Sequence, residues 1–239
     1  MEGISSFSWK ELRSSSTQLG EDGKEGQTFS ALTPKAFRGQ VLDLAVNVPK
    51  GTRVAVKTFK RTKSANKLSK EAGHQQQAAI HGAAPPIYGV NRPDNYIVMQ
   101  CLSTLVVNEY RDQPLPEALQ YMICALMNRL DAAKVMQSDM NALNVMLDEG
   151  GRPYIIDYGM AKTITPTILQ KRAGHPNVQI TLWGLVRGFQ RYKIEVAILD
   201  ACVKSDNPTS FFERGEQALE NLNQKVPKRR KRRQRHLKL

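Results

Sequence analysis

The apolar positions of this chain change their period near residue 100. Upstream they fall in short β-rich runs, QTFSAL, QVLDLAVNV and RVAVKTFK, which predict strands. VPKGT separates the last two runs and reads as a hairpin turn punctuated by Pro49 and Gly51. Residues 64–80 have an amphipathic helical pattern that ends at the breaker HGAAPPIYG. The strand pair IYGV and NYIVMQCL follows, split by the turn NRPD. Beyond residue 101 the period becomes helical. Leu119, Met122, Ile123, Leu126, Met127 and Leu130 share the spacing of a helix buried on one face. Two short strands, VML and YIID, then flank the turn DEGGRP, and further helices are predicted at 180–191, 194–204 and 211–223. Trp183 is expected in the core of the first of these. The fold class expected is α+β: residues 28–100 a mostly antiparallel sheet with one inserted helix, residues 101–223 mainly helical. Residues 1–27, rich in Ser, Gly, Glu and Lys, read as a flexible leader with a short ordered piece around 7–12.

Charge changes this picture at one end only. The chain of 239 residues carries a formal net charge of +13. The segment from Lys225 onward, KVPKRRKRRQRHLKL, holds nine Lys/Arg and no acid. The remaining 26 basic and 22 acidic residues leave the body only about +4, so the excess belongs to the tail. Residues 224–239 are expected to be a disordered basic tail suited to nuclear targeting or nucleic-acid association. It lacks aromatic residues for base stacking, which argues against sequence-specific reading. Cys101, Cys124 and Cys202 form no CxxC pair, and His74, His81 and His175 show no metal spacing. No apolar run approaches the roughly 18 residues of a membrane helix. The expectation is an intracellular protein without membrane contact, in nucleus or cytoplasm, or in virion and host cell if the chain is viral.

The stretch QSDMNALNVMLDEGGRPYIIDYG sets carboxylates beside strands that are expected to be buried. Burying a carboxylate is costly unless it is paired or binds a metal. Asp139 and Asn144 fit D-x-x-x-x-N, and Asp157 opens Asp-Tyr-Gly thirteen residues after Asn144. Upstream, VAVK ends at Lys57, and Glu71 is the only acid between Lys57 and Asp94. Transfer of a phosphoryl group from ATP needs such a set: oxygens for Mg²⁺, a cation for the phosphates and a carboxylate near the acceptor hydroxyl. Asp139 and Asn144 are also ordinary turn formers, and Lys57 an ordinary strand lysine.

Taken in order, VAVK, DMNALN and DYG resemble the protein-kinase-like superfamily over residues 28–183. With KEAGHQQQAAIHGAAPPIYG, the chain is most similar to small atypical kinases such as the RIO kinases, the kinase of the KEOPS tRNA-modification complex and compact kinases of large DNA viruses. The resemblance implies a bilobal fold with a β-rich N-lobe and a reduced helical C-lobe. It implies an ATP- and Mg²⁺-dependent serine/threonine protein kinase. Lys57 would contact the phosphates and pair with Glu71. Asp139 would be the catalytic base, and Asn144 and Asp157 would bind Mg²⁺. Gly39 and Val41 would supply the phosphate loop. Ala55, Met99, Gln100, Leu102 and Met146 would line the adenine site, with Met99 the gatekeeper.

Several positions depart from the family pattern. TPKAFRGQV offers only Gly39 where a glycine-rich loop is expected. Gln137 and Ser138 replace the His-Arg before the catalytic aspartate, Asn141 replaces a lysine, and no Ala-Pro-Glu follows. A kinase that needs no activation-loop phosphate is the expectation. Two further readings stay open: a pseudokinase or scaffold that binds partners or nucleic acid, and a small-molecule phosphotransferase of the aminoglycoside or choline kinase type.

Overall fold

A computed structural model describes residues 7–171, except 21, 22, 24, 43, 61 and 112, together with residues 176 and 177. The expected helices at 180–191, 194–204 and 211–223, Trp183, His175, Cys202 and the tail 225–239 lie outside these residues. The described part is α+β, with its strands concentrated in the first hundred residues.

The chain opens with helix α1 (Trp9–Arg13) and strand β1 (Thr17–Gln18). Five residues cannot sustain a helix alone. α1 is held by a capping box, in which Ser8 and Glu11 satisfy each other's backbone N–H groups, and by burial of Phe7 and Leu12. The Tyr96 hydroxyl donates to the Phe7 carbonyl at 2.6 Å, and Trp9 packs on Phe29 with ring centroids 5.1 Å apart. Much of the stretch expected to be a flexible leader is thus built onto the sheet.

Strands β2 (Gly26–Leu32), β3 (Phe37–Val41), β4 (Leu44–Val48) and β5 (Arg53–Phe59) follow. After helix α2 (Ala65–Ile80) come β6 (Ile87–Asn91) and β7 (Tyr96–Gln100). The main sheet is antiparallel in the order β1-β2-β5-β7-β6. Two expectations are corrected here. QVLDLAVNV is not one strand but a β3–β4 hairpin, reversed at Leu42 with φ +46°. No glycine or proline marks that turn, and a leucine in the left-handed region is uncommon. VPKGT does turn, with Gly51 at φ +78°, but it joins strands of different sheets: β4 pairs with β3, and β5 with β2 and β7.

Alternation along β5 divides the core. Val54 and Val56 pack with Phe7, Leu12 and Tyr96, while Ala55 and Phe59 pack with Leu68 and Ala72 of α2. Strand β8 (Thr104–Leu105) and helix α3 (Val106–Glu109) lead to helix α4 (Glu117–Ala132). α4 is buried at every position from Met122 to Asn128, so it is enclosed on all sides and not on one face as its periodicity suggests. Then come β9 (Val135–Met136), a 3-10 turn (Ala142–Asn144), β10 (Val145–Leu147), β11 (Pro153–Ile155), β12 (Lys162–Thr163) and α5 (Pro166–Lys171). Among the described residues Cys101 and Cys124 are free thiols, and no helix is long and apolar enough to cross a membrane.

Candidate active site

Lys57 sits on β5 between Thr28 of β2 and Ile97 of β7. Its alternation turns the side chain to the α2 side of the sheet. Nζ lies 2.7 Å from Glu71 Oε1 and 3.0 Å from Asp157 Oδ1. The strand, the helix and a segment one hundred positions downstream thus meet at one ammonium. The Glu71 side chain is only 1% exposed, so it needs a cationic partner: a buried carboxylate left unpaired costs about 3–5 kcal/mol. Burial works to lower the Lys57 pKa, but the Glu71 and Asp157 carboxylates outweigh it and hold the ammonium above its usual range. Burial likewise disfavours the Asp157 carboxylate, yet Lys57 holds its pKa below the usual value.

A second lysine, which composition does not single out, completes this cluster. Lys63 Nζ is 2.5 Å from Glu71 Oε2 and 2.6 Å from Glu25 Oε2, and stands 4.2 Å from the centroid of the Phe59 ring. A Cβ placed on Gly159 would lie 3.2 Å from Glu25 Oε2 and 3.4 Å from both Asp157 Oδ1 and Glu71 Oε2. Gly159 is therefore the small residue around which the three carboxylates gather.

The β10–β11 hairpin brings the oxygen-bearing residues together. Val145 faces Ile155 in register, and Ile156 N–H donates to the Asn144 carbonyl at 2.9 Å. Asn144 and Asp157 therefore flank the same end of one ladder. The Asn144 amide nitrogen donates to the Asp139 carbonyl at 2.7 Å and to Asp139 Oδ2 at 3.1 Å. That orientation leaves the Asn144 amide oxygen as an acceptor. Asp139 itself is exposed. Gln137, fully buried, links the two aspartates: Nε2 donates to the carbonyls of Ile156 and Asp157 at 3.3 and 3.0 Å, and Oε1 accepts from Asp139 N–H at 2.7 Å. Ser138 and Asp157 hold φ of +69° and +60°, strained values for non-glycine residues.

The residues expected around adenine fall into one strip. Ala55 and Met99 are register partners, both nearly buried, and the Met99 sulfur accepts from Gln75 Nε2 at 3.3 Å. Gln100, Cys101 and Leu102 lead from β7 towards β8, and β8 pairs with β10 through Leu105 and Met146. Met146 is thereby brought next to that connection.

Val41 joins Ala55 and Met99 in one buried cluster, whereas Gly39 meets the Phe37 ring. Both belong to the β3–β4 hairpin, which contacts β6, the sheet edge farthest from β1, and α2, where Gln76 Nε2 donates to the Val41 carbonyl at 2.8 Å. The β1–β2 connection has the sequence LGEDGKEG, with Gly20, Gly23 and Gly26 three residues apart, and its Glu25 carboxylate bonds Lys63. Gly20 has φ +72°, and a Cβ on Gly26 would lie 1.9 Å from the Thr58 carbonyl oxygen, so only glycine fits there. The three-residue glycine spacing is a signal that could have located this loop. It was obscured by the acids and lysine around it, which read as part of a flexible leader.

Comparison of the sequence with models of protein families and with curated proteins finds no match in either.

Proposed function

We propose that this chain is a phosphotransferase of the protein-kinase-like superfamily that moves the γ-phosphoryl group of ATP to a Ser/Thr hydroxyl of a protein. The observation that carries the reading is the meeting of Lys57 with Glu71 and Asp157 at 2.7 and 3.0 Å across segments far apart in sequence. A strand lysine paired to a helix glutamate and facing a metal-binding aspartate is the constellation such transfer uses. The glycine spacing of the β1–β2 loop and the position of Lys57, on the third strand of the main sheet in chain order, add support.

In this reading residues 28–100 belong to the sheet lobe and 101–223 to a reduced helical lobe, with nucleotide between them. The β1–β2 loop belongs with the sheet lobe as well. Lys57 steadies the phosphates. Asn144 and Asp157 would hold Mg²⁺, whose charge, when bound, screens the phosphate oxygens. The acceptor oxygen bonds to the γ-phosphorus while the bond to the ADP oxygen breaks, and Asp139 takes the hydroxyl proton. Gln137 keeps Asp139 and Asp157 in one frame during that step. The tail 225–239 would serve nuclear targeting or nucleic-acid association, with an affinity that falls steeply with salt.

The test is incubation with Mg²⁺ and γ-labelled ATP, with and without a generic basic protein acceptor, beside Lys57→Ala and Asp157→Ala. Label transferred by the native chain and lost in both variants supports the kinase. Stabilisation by ATP without transfer supports a nucleotide-binding pseudokinase, and transfer to a small alcohol but not to protein a small-molecule phosphotransferase.

A further inference from the structure

The buried Glu71 carboxylate has two cations, one on each oxygen: Lys57 at 2.7 Å and Lys63 at 2.5 Å. Lys63 is partly buried as a residue, but its side chain is only 8% exposed. An ammonium that lies so deep costs desolvation and persists only where its partners repay it. Its partners are Glu71, Glu25 of the β1–β2 loop and the Phe59 ring. The Glu25 carbonyl also accepts from Lys60 N–H at 3.0 Å, so Glu25 is tied to the segment after β5 by its backbone and its side chain.

From this geometry we infer that Lys63 is a second positioning lysine of the site. It neutralises Glu71 independently of Lys57 and links Glu25, immediately before β2, to α2. The inference rests on the nucleotide reading for its consequence, but not for its geometry. A lysine that alone neutralised Glu71 would be held back from phosphate, because drawing it away would leave a buried charge unpaired. With Lys63 on the other oxygen, Glu71 stays satisfied while Lys57 turns to an incoming phosphate.

The experiment uses the full chain as Lys63→Met, Lys63→Arg, Glu25→Gln, Lys57→Met and the Lys57→Met/Lys63→Met pair. Affinity for a fluorescent ATP analogue with Mg²⁺ and the urea midpoint are read for each. Lys63→Met is expected to weaken nucleotide binding about tenfold, the equivalent of one charge-assisted hydrogen bond, with Lys63→Arg restoring most of it and Glu25→Gln losing about threefold. Lys63→Met binding nucleotide as the native chain does would overturn the inference. In the stability cycle the double variant is expected to lose much more than the sum of the single ones, because only then is Glu71 orphaned. Additive losses would overturn it. Should the native chain bind no nucleotide, the kinase reading fails, and the stability cycle alone decides the role of Lys63. Should Lys63→Met not fold, Glu71→Gln/Lys63→Met is expected to fold, since a neutral amide needs no ammonium. Failure of that pair also to fold would overturn the inference.

Discussion

Gln137 donates from Nε2 to the Asp157 carbonyl at 3.0 Å while its Oε1 holds the Asp139 N–H at 2.7 Å. One buried amide therefore sets the separation of the two aspartates on which the proposed chemistry depends. Gln137→Leu removes these two bonds and the one to the Ile156 carbonyl, all to part-buried backbone groups. It is expected to cost about 3 kcal/mol in urea unfolding and to lower phosphoryl transfer about a hundredfold through misplaced carboxylates. Transfer at the native rate in a folded Gln137→Leu protein would refute this role.

The glycine loop makes a contrast between two sites. A Cβ at Gly26 meets the Thr58 backbone oxygen at 1.9 Å, whereas one at Gly39 meets only the tip of the Phe37 ring at 2.9 Å, which can rotate aside. Gly26→Ala is expected to destabilise the β2–β5 pairing by about 3 kcal/mol, and Gly39→Ala by less than about 1 kcal/mol. Nucleotide affinity should fall with Gly20→Ala and stay unchanged with Gly39→Ala. The reverse order of affinities would return the phosphate loop to the β3–β4 hairpin.

Acid titration probes the Lys57–Asp157 pair. Folding holds the Asp157 pKa below its unfolded value, so its contribution is present above about pH 4 and fades as pH falls through the lower folded value. Half of the Asp157 side chain is exposed, so the contribution is about 1 kcal/mol at most. The stability profiles of the native chain and Asp157→Asn should therefore converge below about pH 4. A constant gap down to pH 2 would contradict the pairing. Folding raises the Lys57 pKa, so its contribution is complete below about pH 10.5 and is lost only as pH rises through the still higher folded value.

Tyr158 offers a stabilising change. Its side chain is wholly buried, and among the described residues its hydroxyl has no hydrogen-bond partner, while burial pushes its pKa well up. Tyr158→Phe is expected to raise stability by about 1 kcal/mol without loss of nucleotide binding. A destabilised variant would reveal a partner for the hydroxyl.

Much of this site was legible because its residues break a rule. Asp157 interrupts an apolar run, Glu71 is the sole acid in its segment, and Lys57 closes an alternating strand. What stayed hidden obeys the rules of ordinary surface. Lys63 lies in KRTKS and looks like any solvated loop lysine, although Glu71 and Phe59 enclose it. Gln137 is neutral and gives no charge signal, and its role exists only once two loops meet. The β3–β4 reversal at Leu42 carries no turn residue, so the tertiary pairing overrides local preference. The ordered start of the chain depends on the Tyr96 hydroxyl and the packing of Trp9, contacts far away in sequence.

The proposed function requires a metal-bound nucleotide held between Lys57 and the Asn144–Asp157 oxygens. Calorimetric titration of ATP with and without Mg²⁺ tests this most directly, on the native chain and on Asp157→Ala. Binding to the native chain is expected to be strengthened at least about tenfold by Mg²⁺, and Asp157→Ala to lose that metal dependence. Affinity unaffected by the metal, or equal in the two proteins, would contradict the proposed function.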